Sequence, residues 1–276
     1  MSFRGDAYGT ARLIHGMSPL ARLRTMFSPI SASLMRPHPL LPLAARLGAL
    51  VALSISDREA LLALPYQIRD FTVGAYIIQE GEYPTACNLL LTGFAHRHRF
   101  SAEGLRHIVG LHGVSDMLNL PILPPAPAED FVQALTSVQV AVIPIDHMID
   151  IIRTHPRISD ALWAELEAEL AVVRAWISNI GRRDARGRIA HLFCELVMRD
   201  NPAGGVDGCV FTLPLTQTEL ADATGMTAVH VNRTLRSLEA EGFIRRQRRR
   251  IMVPNWRRLT DLADFRPAPW LRRMRA

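Results

Sequence analysis

Residues 215–244 read LTQTELADATGMTAVHVNRTLRSLEAEGFI, and the fold is decided there. Thr216 and Glu219 stand in the Thr-x-x-Glu spacing of a capping box, in which a hydroxyl and a carboxylate each satisfy an orphan backbone N–H, so a helix is expected from Gln217. Gly225 supplies the backbone freedom for a tight turn between helices. Thr227 is placed to cap a second helix running to Gly242, a residue suited to a helix end. Small Ala221 lets the two helices approach closely. Leu220, Val231, Leu235 and Leu238 fall where a core would close beneath them. The pattern predicts a helix-turn-helix.

In such a unit the second helix enters the major groove, and its exposed N-terminal residues meet base edges. With Val231, Leu235 and Leu238 turned inward, Val229, His230, Asn232, Arg233 and Arg236 are left facing out. Arg233 suits guanine, Asn232 suits adenine, and Val229 can pack on a thymine methyl. His230 can reach a base or a phosphate according to its tautomer. Thr216, Gln217 and Thr227 lie at helix starts, where phosphates bind. Residues 241–256, EGFIRRQRRRIMVPNW, then place two β-prone stretches, FIRR and RIMV, about a polar turn. They read as a hairpin wing. Arg245, Arg246, Arg248, Arg249 and Arg250 would line its edge and tip, adding affinity and salt dependence without reading sequence. The alternative for each of these residues is an ordinary solvated side chain.

The charge agrees with that placement. All 32 basic residues of the 276 are Arg. Residues 1–180 hold 14 Arg against 16 acids, a net of −2, whereas residues 181–276 hold 18 against 10, a net of +8. A basic C-terminal third on a near-neutral body is the footprint of a polyanion-binding module. The length suggests about two domains, and 49% hydrophobic residues suffice for their cores. No run of eighteen uncharged apolar residues occurs, which argues against a spanning helix and a membrane partner. Cys87, Cys194 and Cys209 are far apart, and no metal-ligand spacing joins them. They suggest a reducing cytoplasm, with Cys194 an inert core thiol rather than a redox sensor.

Upstream, residues 1–40 mix Arg, Ser, Pro and Met and read as a flexible N-terminal extension without the apolar core of a leader. Residues 41–145 are expected to form a β-roll. They open with a helical stretch at 42–65, broken near Ser54–Ser56, where Ser56 and Glu59 suggest a second capping box. Strand-like runs follow: FTVGAYIIQEGE, CNLLLTGFAHRHRF, LRHIVGLHG and FVQALTSVQVAVIP, with the Pro-rich loop LPILPPAPAED before the last. A helix is expected over 146–180. Trp163, Leu166, Leu170, Val173, Ile177 and Ile180 follow alternating steps of three and four residues, the seam of a coiled coil or of an ordinary core helix. Its position between a β domain and a reader that needs two copies favours a dimerisation helix. Residues 181–276 complete a winged helix-turn-helix, giving an α+β chain.

FTVGAYIIQEGE with Gly74, Glu80 and Gly81, LLLTGFAHRHR with Gly93, NIGRRDARGRIAHLFCEL, and the helix-turn-helix with its basic wing together resemble the family of the cyclic-AMP receptor protein and FNR over residues 42–265. The resemblance implies a cyclic-nucleotide-binding-like jelly roll, a homodimer, a pseudo-palindromic promoter site on double-stranded DNA, and contact with RNA polymerase. The family's base-reading pattern places a Glu four residues before an Arg; Arg233 matches the Arg, but Val229 stands at the Glu position. Cyclic-nucleotide binders follow a Gly-Glu turn with an Arg-Ser or Arg-Thr pair. Here GVSDMLNL and PPAPAED supply no cation, and Glu129 and Asp130 would repel a phosphate. The first cysteine is Cys87, so the family's N-terminal iron–sulfur ligands are absent. Cyclic AMP and an iron–sulfur cluster are both disfavoured, no cofactor is expected, and the effector stays unknown. His96, His98, His107 and His112 lie on or beside strands; a haem- or metal-binding sensor is the alternative to β-roll histidines that merely hydrogen-bond. A constitutive DNA-binding protein without effector is the other alternative. No nucleophile–base pair, acidic pair or metal triad points to a jelly-roll enzyme.

Overall fold

The computed structural model describes residues 38–121, 124–200 and 204–266. The expected extension at residues 1–40 lies almost wholly outside them. Two short helices come first, α1 (Leu41–Leu50) and α2 (Ile55–Leu62). The cap of α2 is Ser54, not Ser56: its hydroxyl accepts from Asp57 N, and the Asp57 carboxylate accepts from Ser54 N at 2.9 Å. Ser54 is extended (φ −68°, ψ 171°), which an N-cap requires, whereas Ser56 already lies inside the helix.

Seven strands then form two antiparallel sheets. Sheet A has the order β1 (Gln67–Phe71), β7 (Val138–Pro144), β3 (Ala86–Thr92); sheet B runs β2 (Tyr76–Ile78), β6 (Phe131–Ala134), β4 (Ala95–Phe100), β5 (Arg106–His112). Strand β1 carried no alternation in sequence because four of its five residues are exposed. Ile78, Leu90, Ala95, Val132, Ala134 and Val140 are buried between the sheets as the roll's interior. The period of two turns the neighbouring residues outward. On sheet A those residues, Cys87, Leu89, Ala141 and Ile143, are covered by Leu43, Leu47 and Leu61 of α1 and α2. Each such leucine contributes about 1.5–3 kcal/mol by leaving water.

The helix expected over 146–180 is two helices. α3 (Ile145–Thr154) ends before His155, and α4 (Pro156–Arg182) begins with Pro156 in its first turn. The proline ring drives the preceding residue out of the helical region, and His155 accordingly has φ −126° and ψ 87°. α5 (Ala185–Asp200) leads into the C-terminal module: β8 (Cys209–Thr212), α6 (Gln217–Thr224), α7 (Ala228–Ala240), β9 (Arg245–Gln247), β10 (Arg250–Val253) and α8 (Trp256–Ala263). The wing is a three-stranded sheet of order β8-β10-β9 rather than a lone hairpin. FIRR is not a strand throughout, since Phe243 and Ile244 belong to the core and β9 starts at Arg245. No described helix is long and apolar enough to cross a membrane.

Candidate nucleic-acid interface

The helix-turn-helix is built by its own short-range chemistry. Thr216 Oγ1 accepts from Glu219 N at 3.2 Å, while the Glu219 carboxylate accepts from Thr216 N at 2.7 Å. Gly225 ends α6 in the left-handed region (φ 64°), which a Cβ would oppose. Thr227 caps α7, its hydroxyl accepting from His230 N at 3.2 Å. Phe243 N donates to Leu238 O at 2.9 Å and Gly242 takes φ 75°, the 6→1 closure that satisfies a helix C-terminus. Leu220, Val231 and Leu238 are fully buried beneath the two helices. Arg188 on α5 donates to Thr224 O at 3.2 Å and braces the inter-helix turn.

Along α7, Val229 (82% exposed), Arg233 and Arg236 face solvent, while His230 and Asn232 are half-buried. Asn232 Nδ2 donates to Gln217 Oε1 at 3.2 Å, so the starts of α6 and α7 are tied on the exposed side. The hydroxyls of Thr216 and Thr227 accept cap bonds, and their own hydrogens are left to donate. In the wing, Arg245, Arg248 and Arg250 are exposed. Arg248 sits at the tip with φ 57°. Arg246 is half-buried and Arg249 exposed, and both are tied to partners within the module. Arg246 holds Glu239 through Nε at 3.0 Å and Nη2 at 2.8 Å, and its backbone contact keeps the Glu239 carboxyl below its ordinary pKa. Arg249 donates to Leu213 O at 3.2 Å and Pro214 O at 2.8 Å. These two brace the wing.

The six seam residues of α4 stand out in a single chain. Trp163 is 69% exposed and Ile177 67%, and Leu166, Leu170, Val173 and Ile180 are all exposed too.

Sequence reasoning missed the junction between roll and reader. The outer face of sheet B is covered by the C-terminal module: Ile108, Leu111 and Leu135 lie in one apolar cluster with Phe193, Leu220 and Leu235. Arg106 of β5 binds Asp222 of α6 at 2.8 Å. Asp116 receives Arg46 of α1 at 2.6 Å and also Arg199 of α5. Arg46 continues to Glu165 of α4 at 2.6 Å, and Arg199 to Glu195 at 3.0 Å. The paired guanidiniums hold the buried Asp116 carboxyl below its ordinary pKa against the cost of burial. These residues lie up to 153 positions apart, and no spacing pattern announces them.

The four histidines do not converge. His96 and His98 share the outer face of sheet B with ring centroids 4.9 Å apart, whereas His112 pairs with Ala95 on the inner face and His107 is exposed. Burial lowers the pKa of His98 to about 4 and of His112 to about 3, so both are neutral. Among the described residues no three His, Cys, Asp or Glu gather closely enough to hold a metal ion. Asp130 does not stand as a bare repelling charge: it pairs with Arg99 at 2.7 Å and Arg97 at 3.4 Å. Cys87 and Cys194 are buried, and burial raises both thiol pKa values.

Comparison with known proteins agrees with this architecture. Residues 68–155 match the cyclic nucleotide-binding domain family, and residues 187–262 match the Crp-like helix-turn-helix domain family. A probable transcriptional activator of Rhizobium leguminosarum is 27% identical over 68% of this chain and 77% of its own length. The transcriptional activator protein FnrL of Cereibacter sphaeroides is 27% identical over 75% of this chain and 85% of its own. A CRP-like cAMP-activated global transcriptional regulator of Mycobacterium tuberculosis is 26% identical over 75% and 93%. FixK2 from Bradyrhizobium japonicum shares the fold at a TM-score of 0.66 and 22% identity, covering 74% of this chain and all of that one. With a nucleotide-binding-type roll, a Crp-like reader and regulators among its relatives, the chain belongs to the Crp/Fnr family of transcription regulators.

Proposed function

We propose that the protein is a cytoplasmic, sequence-specific transcription regulator that binds a pseudo-palindromic promoter site as a homodimer and works with RNA polymerase rather than as an enzyme. Residues 41–145 act as the sensor, residues 146–180 as the dimerisation segment, and residues 181–276 as the reader. The observation that carries this reading is the exposed face of α7, where Val229, Arg233 and Arg236 stand free on a module of net charge +8. Arg233 reads guanine and Asn232 adenine, with Val229 on a thymine methyl. His230, Thr216, Gln217, Thr227, Arg245 and Arg248 contact the backbone. Trp163, Leu166, Leu170, Val173, Ile177 and Ile180 pair with the same residues of a second copy, since six large apolar side chains on one helix face are costly to leave in water.

The test is a gel shift on promoter fragments with scrambled competitor, run beside sedimentation of the free protein. A specific complex with two chains per site is expected. Equal binding to scrambled DNA would leave only a non-specific architectural protein. A second reading, constitutive binding without an effector, is favoured by the apolar cluster that roll and reader share and by the Arg106–Asp222 pair, both of which hold the reader in one position. It predicts an affinity unchanged by cell extract.

A further inference from the structure

The chain passes from the long helix to the reader through two residues. α4 ends at Arg182 and α5 begins at Ala185, so Arg183 and Asp184 make the covalent connection. Arg183 is extended (φ −85°, ψ 149°), and Asp184 Oδ1 accepts from Gly187 N at 2.8 Å at the start of α5. The soft dihedrals of such a connection leave the direction of the following helix open unless other contacts fix it.

Three polar side chains meet at this point. Asn179, buried in the last turn of α4, donates from Nδ2 to Arg188 O at 3.4 Å and accepts from Arg183 Nη1 at 3.4 Å. Arg183 reaches the end of α8, donating to Ala263 O at 2.5 Å and to Asp264 O at 2.9 Å. Arg188 spans the connection itself. Its Nε donates to Arg183 O at 3.0 Å, and its Nη1 to Thr224 O at 3.2 Å, where α6 gives way to the inter-helix turn. The guanidinium is planar and rigid, so one side chain holds the two carbonyls at a set separation. The same turn touches the seam: a Cβ built on Gly225 would stand 3.7 Å from Ile180 Cγ2 and 3.9 Å from Arg188 Nη1. Ile180, the last apolar residue of the exposed stripe, therefore lies over the turn that aims α7. Elsewhere Arg106–Asp222 holds α6 to the roll, and Trp176 donates to Glu195 at 2.6 Å between α4 and α5. Arg188 joins the end of the stripe to the turn of the reader.

We infer that Arg188 is a positioning residue that sets the half-site spacing the dimer accepts, by fixing the inter-helix turn against the end of α4. The inference rests on the dimer and promoter reading proposed above. A two-fold dimer presents its recognition helices at a separation decided by how each reader is set against the paired helices. Adding one base pair between half-sites turns one against the other by about 35° and moves it by about 3.4 Å. A reader locked to α4 does not follow that movement, whereas one released from Arg188 follows part of it. Arg188 is half-buried and its bonds go to backbone carbonyls, so its effect falls on spacing and not on the half-site sequence.

The experiment uses the full chain. Wild-type protein first selects a site from random duplexes, and the spacer of that site is then lengthened and shortened in single-base-pair steps. Competition binding gives the ratio of affinities between the best spacer and its neighbours. Arg188→Met should lower that ratio by about tenfold, as for loss of a hydrogen bond from a charged group, with the base preference in each half-site unchanged. Arg188→Lys keeps the charge but has a single ammonium for two carbonyls, and should lower the ratio as well. Melting temperature and sedimentation are measured beside each variant. A ratio equal to wild type in a folded variant would overturn the inference. So would affinity lost equally at every spacer, or loss of folding in both variants, since either marks a merely structural role. A slope of log affinity against log salt flattened by about 0.9 would make Arg188 a phosphate contact instead. If wild-type protein selects no site, the promoter reading fails; if it selects one and the variants keep its spacing, only the role of Arg188 fails.

Discussion

The reader and the roll use the same side chain in opposite ways. On the reader, Arg233, Arg236, Arg245, Arg248 and Arg250 point into solvent with their charge uncommitted. At the junction of roll and long helix, Arg46 and Arg199 are buried to 8% side-chain exposure, with their charges cancelled against Asp116, Glu165 and Glu195. An exposed guanidinium keeps its five donors for a polyanion, whereas a buried one is a crosslink whose removal strands a charge. Charge count alone therefore cannot locate a nucleic-acid surface; the accessibility and prior bonding of each arginine must be added to it.

The contrast can be broken most forcefully at Asp116. Asp116→Ala leaves two buried guanidiniums unmatched and should cost about 3–5 kcal/mol of folding stability. A urea midpoint shifted by less than about 1 kcal/mol equivalent would show that the cluster is not a crosslink. Acid should act on buried histidines as well. His112 and His191 have pKa values lowered by burial to about 3 and about 4. Between about pH 6.5 and those values the unfolded chain binds more protons than the folded one. Stability should therefore drop as the pH is lowered, by up to about 1.4 kcal/mol per pH unit for each histidine. Glu169 opposes this modestly, since burial raises its pKa and its protonation favours the fold. Unfolding free energies flat from pH 6.5 to 4.5 would contradict the burial of these rings.

On the reader, Arg233→Ala should leave folding intact and cost about 1–3 kcal/mol of binding at one base position, measured by competition with single-base variants of the site. Loss of affinity spread evenly over all sequences would make Arg233 a phosphate contact instead. The finest distinction lies within the wing. Arg248→Ala should flatten the slope of log affinity against log salt by about 0.9 for each phosphate that the side chain neutralises. Arg246→Ala should leave that slope unchanged while loosening the wing through Glu239. Equal slopes for the two variants would erase the difference assigned to them.

Legibility in the sequence follows the range of the interactions. The reader could be read because its caps, turn and core lie within thirty residues, so Thr216, Glu219, Gly225 and Thr227 announce their bonds by spacing. The apolar stripe of α4 is legible for the same reason, whereas the break at His155 lies outside the periodic pattern and is marked only by Pro156. Ser56 with Glu59 has the capping-box spacing, but Ser54 is the cap because Asp57 serves as a capping acid as well as Glu does. Strand β1 gives no alternation because it is an edge strand with four of its five residues exposed. Neither Arg106–Asp222 nor the Asp116 cluster could have been found, since each joins residues brought together only by the finished fold. The wing arginines were grouped by adjacency, and only their partners separate Arg246 and Arg249 from Arg248.

Arg248 at the wing tip holds φ 57°, a conformation that costs an L-residue about 1 kcal/mol and a glycine almost nothing. Arg248→Gly should therefore give a better-folded protein and a poorer binder. On the function proposed above, foldability and grip compete at the tip, and an arginine there favours grip.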